Sequence, residues 1–212
     1  MGTAAATPFA RAQQTGQEAL RRTLLDAAGR LLADAGPQAL TMRRIAADVG
    51  CSTTVLYTMF GSKEGIAQAL YTEGFERFRH RLERVPDDGS ALDRLGAMGD
   101  AYRENALAER NYYGVMFGQP IPGFTPSAES REAARATLAM LTAQVERCMD
   151  AGVLRRQDPW AVAEVLWAAA HGAVSLELAG HFSDEASADQ CFTTLLVGAA
   201  MPFLQQQSGG KR

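Results

Sequence analysis

Thr41-Met-Arg-Arg-Ile-Ala-Ala-Asp-Val-Gly-Cys-Ser-Thr-Thr-Val-Leu-Tyr-Thr-Met-Phe60 is the stretch that decides the fold. Thr41 is a good N-cap residue, Met42, Ile45, Ala46 and Val49 recur at helical spacing, and Gly50 stands where a left-handed residue ends a helix. Ser52 opens a fresh helix two residues later, Thr53 to Met59, which ends near Phe60-Gly61. Ser62 then caps a third helix, from Lys63 to about Arg84. Two short helices joined by a tight glycine turn and followed by a longer one follow the grammar of a helix-turn-helix.

Working outward, a helix from about Gln17 to Ala35 precedes this unit. Leu20, Leu24, Ala27, Ala28, Leu31 and Leu32 form its apolar stripe, and Gly36-Pro37 stops it. Residues 1–16 are expected to be a disordered arm. On the other side, Pro86-Asp87-Asp88-Gly89-Ser90 is the clearest break and separates a head, 17–85, from a body, 86–207. Body helices are expected at about 91–108, 110–117, 126–151, 158–180 and 184–206, with Asp158 and Pro159 as N-cap and N1. Gly118-Gln119-Pro120-Ile121-Pro122-Gly123 reads as a loop, and 208–212 as a disordered tail. No alternating, turn-bounded strand pattern occurs. The fold class is therefore all-α: an N-terminal three-helix helix-turn-helix domain followed by a helical bundle.

With 212 residues, 47% of them hydrophobic, the chain can bury a core without staples. Its three cysteines, Cys51, Cys148 and Cys191, match no metal spacing and no disulfide framework, so a reducing cytoplasm is the natural setting and no metal or cofactor is expected. No apolar run has the form of a signal peptide. The segment 158–180 comes nearest to a membrane span, yet Glu164, His171 and Glu177 interrupt it, which favours a bundle helix and no membrane partner. Net charge is −3, unevenly placed: residues 1–85 carry 11 Lys and Arg against 8 Asp and Glu, and 86–212 carry 10 against 16. A mildly basic head on an acidic body permits nucleic-acid binding.

A recognition helix enters the major groove with its N-terminal residues and needs small polar side chains there. Ser52, Thr53, Thr54, Tyr57 and Thr58 fit. Thr53 and Thr54 are the candidates for base edges, through hydroxyls or through methyls on thymine. Thr41, Tyr57 and Lys63 suit phosphates, and Arg43 and Arg44 beside the same helix start can add salt-dependent affinity. No arginine or asparagine stands in the reading helix for bidentate base contacts, so specificity would lean on dimer spacing and DNA shape.

The run Thr41–Ile66 resembles the DNA-binding signature of the TetR family in Ile45-Ala46, Val49-Gly50, Leu56-Tyr57, Phe60 and Ser62-Lys63-Glu64. The resemblance covers about 17–80. It implies Tyr57 and Lys63 on the DNA backbone, Thr53 and Thr54 facing bases, and Ile45, Val49, Leu56 and Phe60 as the core that sets the interhelical angle. Leu166-Trp167 through His171-Gly172 to Leu178 resembles the Trp-His-Gly type of C-terminal domain in that family. Tyr112-Tyr113-Gly-Val-Met116-Phe117-Gly118 resembles the aromatic segment that accompanies it.

The resemblance implies a body that binds a small-molecule effector and dimerises. Trp167 and His171, four residues apart, share a helix face. Met98, Tyr102, Tyr113, Met116, Phe117, Phe124 and Met140 are candidates for other pocket walls, as they are for a core. The last two helices are the candidate dimer interface, with Phe192, Leu195, Leu196, Ala199 and Phe203 in a stripe. The expected function is a homodimeric regulator, in the family's habit a repressor, on a palindromic duplex operator. The alternatives are a regulator without effector and an all-α ligand-binding protein or enzyme. Against an enzyme, the sequence around His80, His171 and His181 offers no convincing acid–base partners and no nucleophile constellation emerges.

Overall fold

The computed structural model describes residues 7–118 and 120–205, and the expected 208–212 tail lies outside them. Among these the chain is helical throughout: α1 Pro8–Ala35, α2 Met42–Val49, α3 Thr53–Phe60, α4 Lys63–Glu83, α5 Ala91–Ala108, α6 Arg110–Phe117, α7 Ala128–Asp150, α8 Pro159–Leu178 and α9 Glu185–Ala200, then a 3-10 turn at Met201–Phe203. The all-α fold class stands.

Two boundaries differ from the sequence reading. Helix α1 begins at Pro8, so Pro8–Gly16 is helix rather than disordered arm, while residues 1–6 lie outside the described chain. The reason is local: Thr7 accepts the Ala10 N–H and Pro8 takes the first helical position, where its missing donor costs nothing. Helix α9 stops at Ala200 instead of about 206. Pro202 supplies no N–H to continue it, and the chain turns so that Phe203 O accepts from Arg155 N and Gln205 N donates to Val153 O.

The chain divides into two compact units. The first runs to Gly74 and takes back Asn111–Ser127; the second is Phe75–Arg110 with the chain from Ala128 onward. In the first, Leu24, Leu25, Ala27, Ala28, Leu40, Ile45, Leu56, Ile66 and Leu70 form the core. Thr41 caps α2, Gly50 ends it in the left-handed region at φ 75°, and Ser62 Oγ accepts from Gly65 N to start α4. Of the four residues expected to set the interhelical angle, Ile45 and Leu56 are fully buried. Val49 and Phe60 are only half-buried, and the Arg21 guanidinium covers the Phe60 ring at 5.9 Å.

In the second unit, Val145, Cys148 and Met149 of α7 pack with Leu154 and with Val162, Ala163 and Leu166 of α8. Arg103 of α5 holds α8 and α9 together. It forms a bidentate pair with Glu177, both bonds 2.8 Å, reaches Asp189 at 2.7 Å, and lies 5.7 Å from the Phe192 ring. The Arg103 and Glu177 side chains are 15% and 12% exposed, so Arg103→Ala leaves a mostly dehydrated carboxylate without its partner. We expect it to cost roughly 3 kcal/mol, read as a lower urea midpoint; an unchanged midpoint would show the pair to be inert.

Candidate nucleic-acid interface and body site

All nine candidate DNA-contacting residues lie in the first unit, on α2, α3 and the helix starts beside them. Thr41, Arg43, Arg44, Ser52, Thr54, Tyr57, Thr58 and Lys63 are exposed, and Thr53 is half-buried. Tyr57 is 55% exposed while its neighbour Leu56 is fully buried, so α3 presents polar groups outward and anchors itself through the opposite face. Thr41 Oγ1 accepts the Arg44 N–H at 3.3 Å, which leaves its own hydroxyl proton free to point at an anion.

The other contacts refine the roles. Lys63 Nζ donates to Pro37 O at 3.2 Å, which fixes the side chain across the α1–α2 loop and leaves two N–H donors for a phosphate. Thr58 Oγ1 donates to Thr54 O at 2.9 Å, so this hydroxyl is turned onto its own helix. Ser52 occupies the N-cap position of α3 without capping it through its side chain. Ser52 contributes only its carbonyl, which accepts from Val55 N at 3.1 Å, so the first-turn amides of α3 gain no side-chain cap at the end of the helix expected to face DNA.

The nine candidate pocket residues divide between the units. Tyr113, Met116, Phe117 and Phe124 fall in the first, and Met98, Tyr102, Met140, Trp167 and His171 in the second. In the second unit the structure brings three of them together. The Tyr102 hydroxyl and His171 Nδ1 are 3.2 Å apart, and the Trp167 and His171 rings have centroids 6.0 Å apart. Ser175 Oγ is 3.5 Å from His171 Nε2, and Phe78 meets the Tyr102 ring edge-on at 5.3 Å. Burial pushes the His171 imidazole below its ordinary range, which favours the neutral ring that can donate through one nitrogen and accept through the other. Phe78 and Ser175 were missed by sequence reading; Ser175 lies one helical turn beyond His171, and that spacing was the available signal. Met98 is buried on α5 and Met140 half-buried on α7.

The candidate dimer stripe needs correction. Phe192 is 2% exposed, and Ala199 and Phe203 pack against the α7–α8 core, so these three face inward. Of the stripe, Leu195 remains exposed and Leu196 is half-buried. The apolar surface left outward on α9 and the turn after it is Leu195, Val197 and Met201, and on α8 it is Val165 and Leu176.

Comparison with known proteins joins the two parts. Residues 24–70 match the family model of bacterial regulatory proteins of the tetR family, and residues 95–199 match that of the tetracyclin repressor-like C-terminal domain. The chain belongs to the TetR family. A solved protein of unknown function from Rhodococcus sp. RHA1 is 29% identical, with TM-score 0.75 over 88% of this chain and 96% of that one. The TetR family regulator PfmR from Thermus thermophilus shares the fold at 18% identity, with TM-score 0.67 over 89% of this chain and 99% of that one. The HTH-type transcriptional regulator Rv1816 of Mycobacterium tuberculosis is 23% identical over 111 residues, 51% of this chain and 47% of that protein. The matched stretch thus spans about half the length of that regulator. Membership in the TetR family retires the enzyme alternative. One helix among the described residues, α8, is long and apolar enough to cross a membrane, and it packs against α7 and α9.

Proposed function

We propose that the chain is a cytoplasmic, homodimeric TetR-type repressor that binds a palindromic operator and is released by a small hydrophobic or aromatic effector. The observation that carries the DNA-binding part is the division of labour on α2 and α3: Ile45 and Leu56 fully buried, Thr41, Arg43, Arg44, Thr54, Tyr57 and Lys63 exposed. One such helix reads too few base pairs, so two copies about 34–36 Å apart are needed to reach successive major grooves. The apolar outer faces of α8 and α9 supply a surface for the second copy. The effector reading draws on Tyr102, Trp167 and His171, which set a neutral polar group against aromatic rings. It also draws on SmeT, a protein of the same fold at 19% identity, whose solved structure is a complex with triclosan.

The test is binding to a palindromic duplex from beside the protein's own gene over a range of salt. Nanomolar affinity with a steep salt slope supports the reading; weak, sequence-blind binding overturns it. In the same assay Lys63→Ala is expected to weaken operator and unrelated duplexes alike and to lower the salt slope by about one per protomer. A loss confined to the operator would instead make Lys63 a base-reading residue. A second reading, a dimeric regulator without effector, is favoured by the contacts of both His171 ring nitrogens with Tyr102 and Ser175, which engage the ring inside the protein. Operator affinity unchanged across a panel of hydrophobic aromatic compounds would select it.

A further inference from the structure

The structure assigns the segment Asn111–Ser127 a positioning role in DNA reading, as a tie between the two helices that flank the reading pair. The assignment rests on the head being the DNA-binding element. Helices α2 and α3 are carried between α1 and α4. Arg30 of α1 pairs with Asp48 near the end of α2, Arg21 of α1 covers Phe60 at the end of α3, and α4 begins three residues after Phe60. How α1 sits against α4 therefore decides how α3 is presented.

The segment fastens both. On the α1 side, the hydroxyl of Tyr112, a residue 3% exposed, donates to Asp26 Oδ1 at 2.8 Å. At Gly29 the start of α6 lies in ordinary packing range of α1, since a Cβ there would stand 3.6 Å from that of Asn111. On the α4 side, a Cβ at Gly74 would lie 2.7 Å from Met116 Sδ and 3.4 Å from Tyr112 Cβ, so Tyr112 is wedged against one flanking helix while it bonds the other. The loop after α6 then returns to α4. Gln68 uses both ends of its amide: Nε2 donates to Thr125 O at 2.9 Å, and Oε1 accepts from Ser127 N at 3.0 Å. Tyr71 and Phe124 add a tilted ring contact at 6.1 Å, and Ile121 is buried. A direct α1–α4 ion pair, Arg21–Glu73 at 3.2 Å, spans the same two helices alongside the tie.

A hydrogen bond to a half-buried carboxylate and a two-ended amide clamp fix orientation more than they fix folding, because the apolar core of the unit is untouched by their removal. In the full-length protein, Tyr112→Phe is expected to lower operator affinity about tenfold, with sequence-blind binding at low salt held within about twofold. Gln68→Ala, at a more accessible contact, acts in the same direction and serves should Tyr112→Phe fail to fold. Asp26→Asn keeps an acceptor for the Tyr112 hydroxyl and should bind like the wild type, whereas Asp26→Ala should match Tyr112→Phe. Hydrogen exchange without DNA gives an independent reading: amides of Met42–Phe60 should exchange faster in Tyr112→Phe and Gln68→Ala. Variants that keep the wild-type ratio of operator to sequence-blind affinity overturn the role. Should the wild type itself find no operator, the proposed function fails, and exchange rates unchanged by both substitutions would then overturn the tie.

Discussion

Val165→Glu is expected to turn the protein into a monomer and to lower operator affinity by about 10²–10⁴-fold. The outer face of α8 is Ala161, Val165, Ala168, Gly172 and Leu176, spaced at three to four residues, with Val165 and Leu176 at 45% and 48% exposure. A Cβ at Gly172, or at Gly198 on α9, would meet nothing within 4 Å, so a second copy can approach these backbones closely. In a two-fold interface each substitution occurs twice, and a pair of carboxylates would be brought out of water with no cation supplied. Val165 contributes little to its own protomer's core, so the monomer should remain folded. Sedimentation and operator titration on one preparation check this, and a Val165→Glu protein that remains dimeric would place the interface elsewhere.

The second large effect is in the reading helix. Leu56→Ala should destabilise the DNA-binding unit by roughly 4 kcal/mol, because Leu56 is fully buried and its cavity lies between helices of only eight residues. Helices this short do not hold themselves in water; their packing holds them. Loss of operator binding should therefore accompany loss of helical signal from this unit, while the core around Val145, Cys148 and Leu166 in the other unit persists. Heat or urea should then show the first unit melting ahead of the second. Operator affinity within about threefold of wild type would be incompatible with Leu56 as the anchor of α3.

The reading helices were legible because their signals are local. Thr41, Gly50, Ser52 and Phe60-Gly61 fall at fixed offsets, and each makes sense within a single turn of chain. The start of α1 is local too, in Thr7-Pro8, but the apolar stripe begins only at Leu20, so periodicity does not announce the first turns. On α9 the stripe mixed residues of different orientation, because beyond Thr194 apolar side chains lie on both faces and no polar residue marks which one looks inward. The placement of Asn111–Ser127 was beyond reach. Chain order put it with the body, whereas its contacts are a tyrosine to an aspartate 86 residues earlier and a backbone to a glutamine side chain 57 and 59 residues earlier. Nothing in the spacing of residues announces such pairs.

On α3 the alternation of a fully buried Leu56 with exposed Thr54, Tyr57 and Thr58 separates two kinds of selection. Surface substitutions away from special features change stability by no more than about half a kcal/mol. The exposed side chains of α3 can therefore be exchanged while the helix that presents them stays anchored. With the DNA contacts proposed above, a gene copy could acquire a different target sequence through a few changes at these positions, without first passing through an unstable protein.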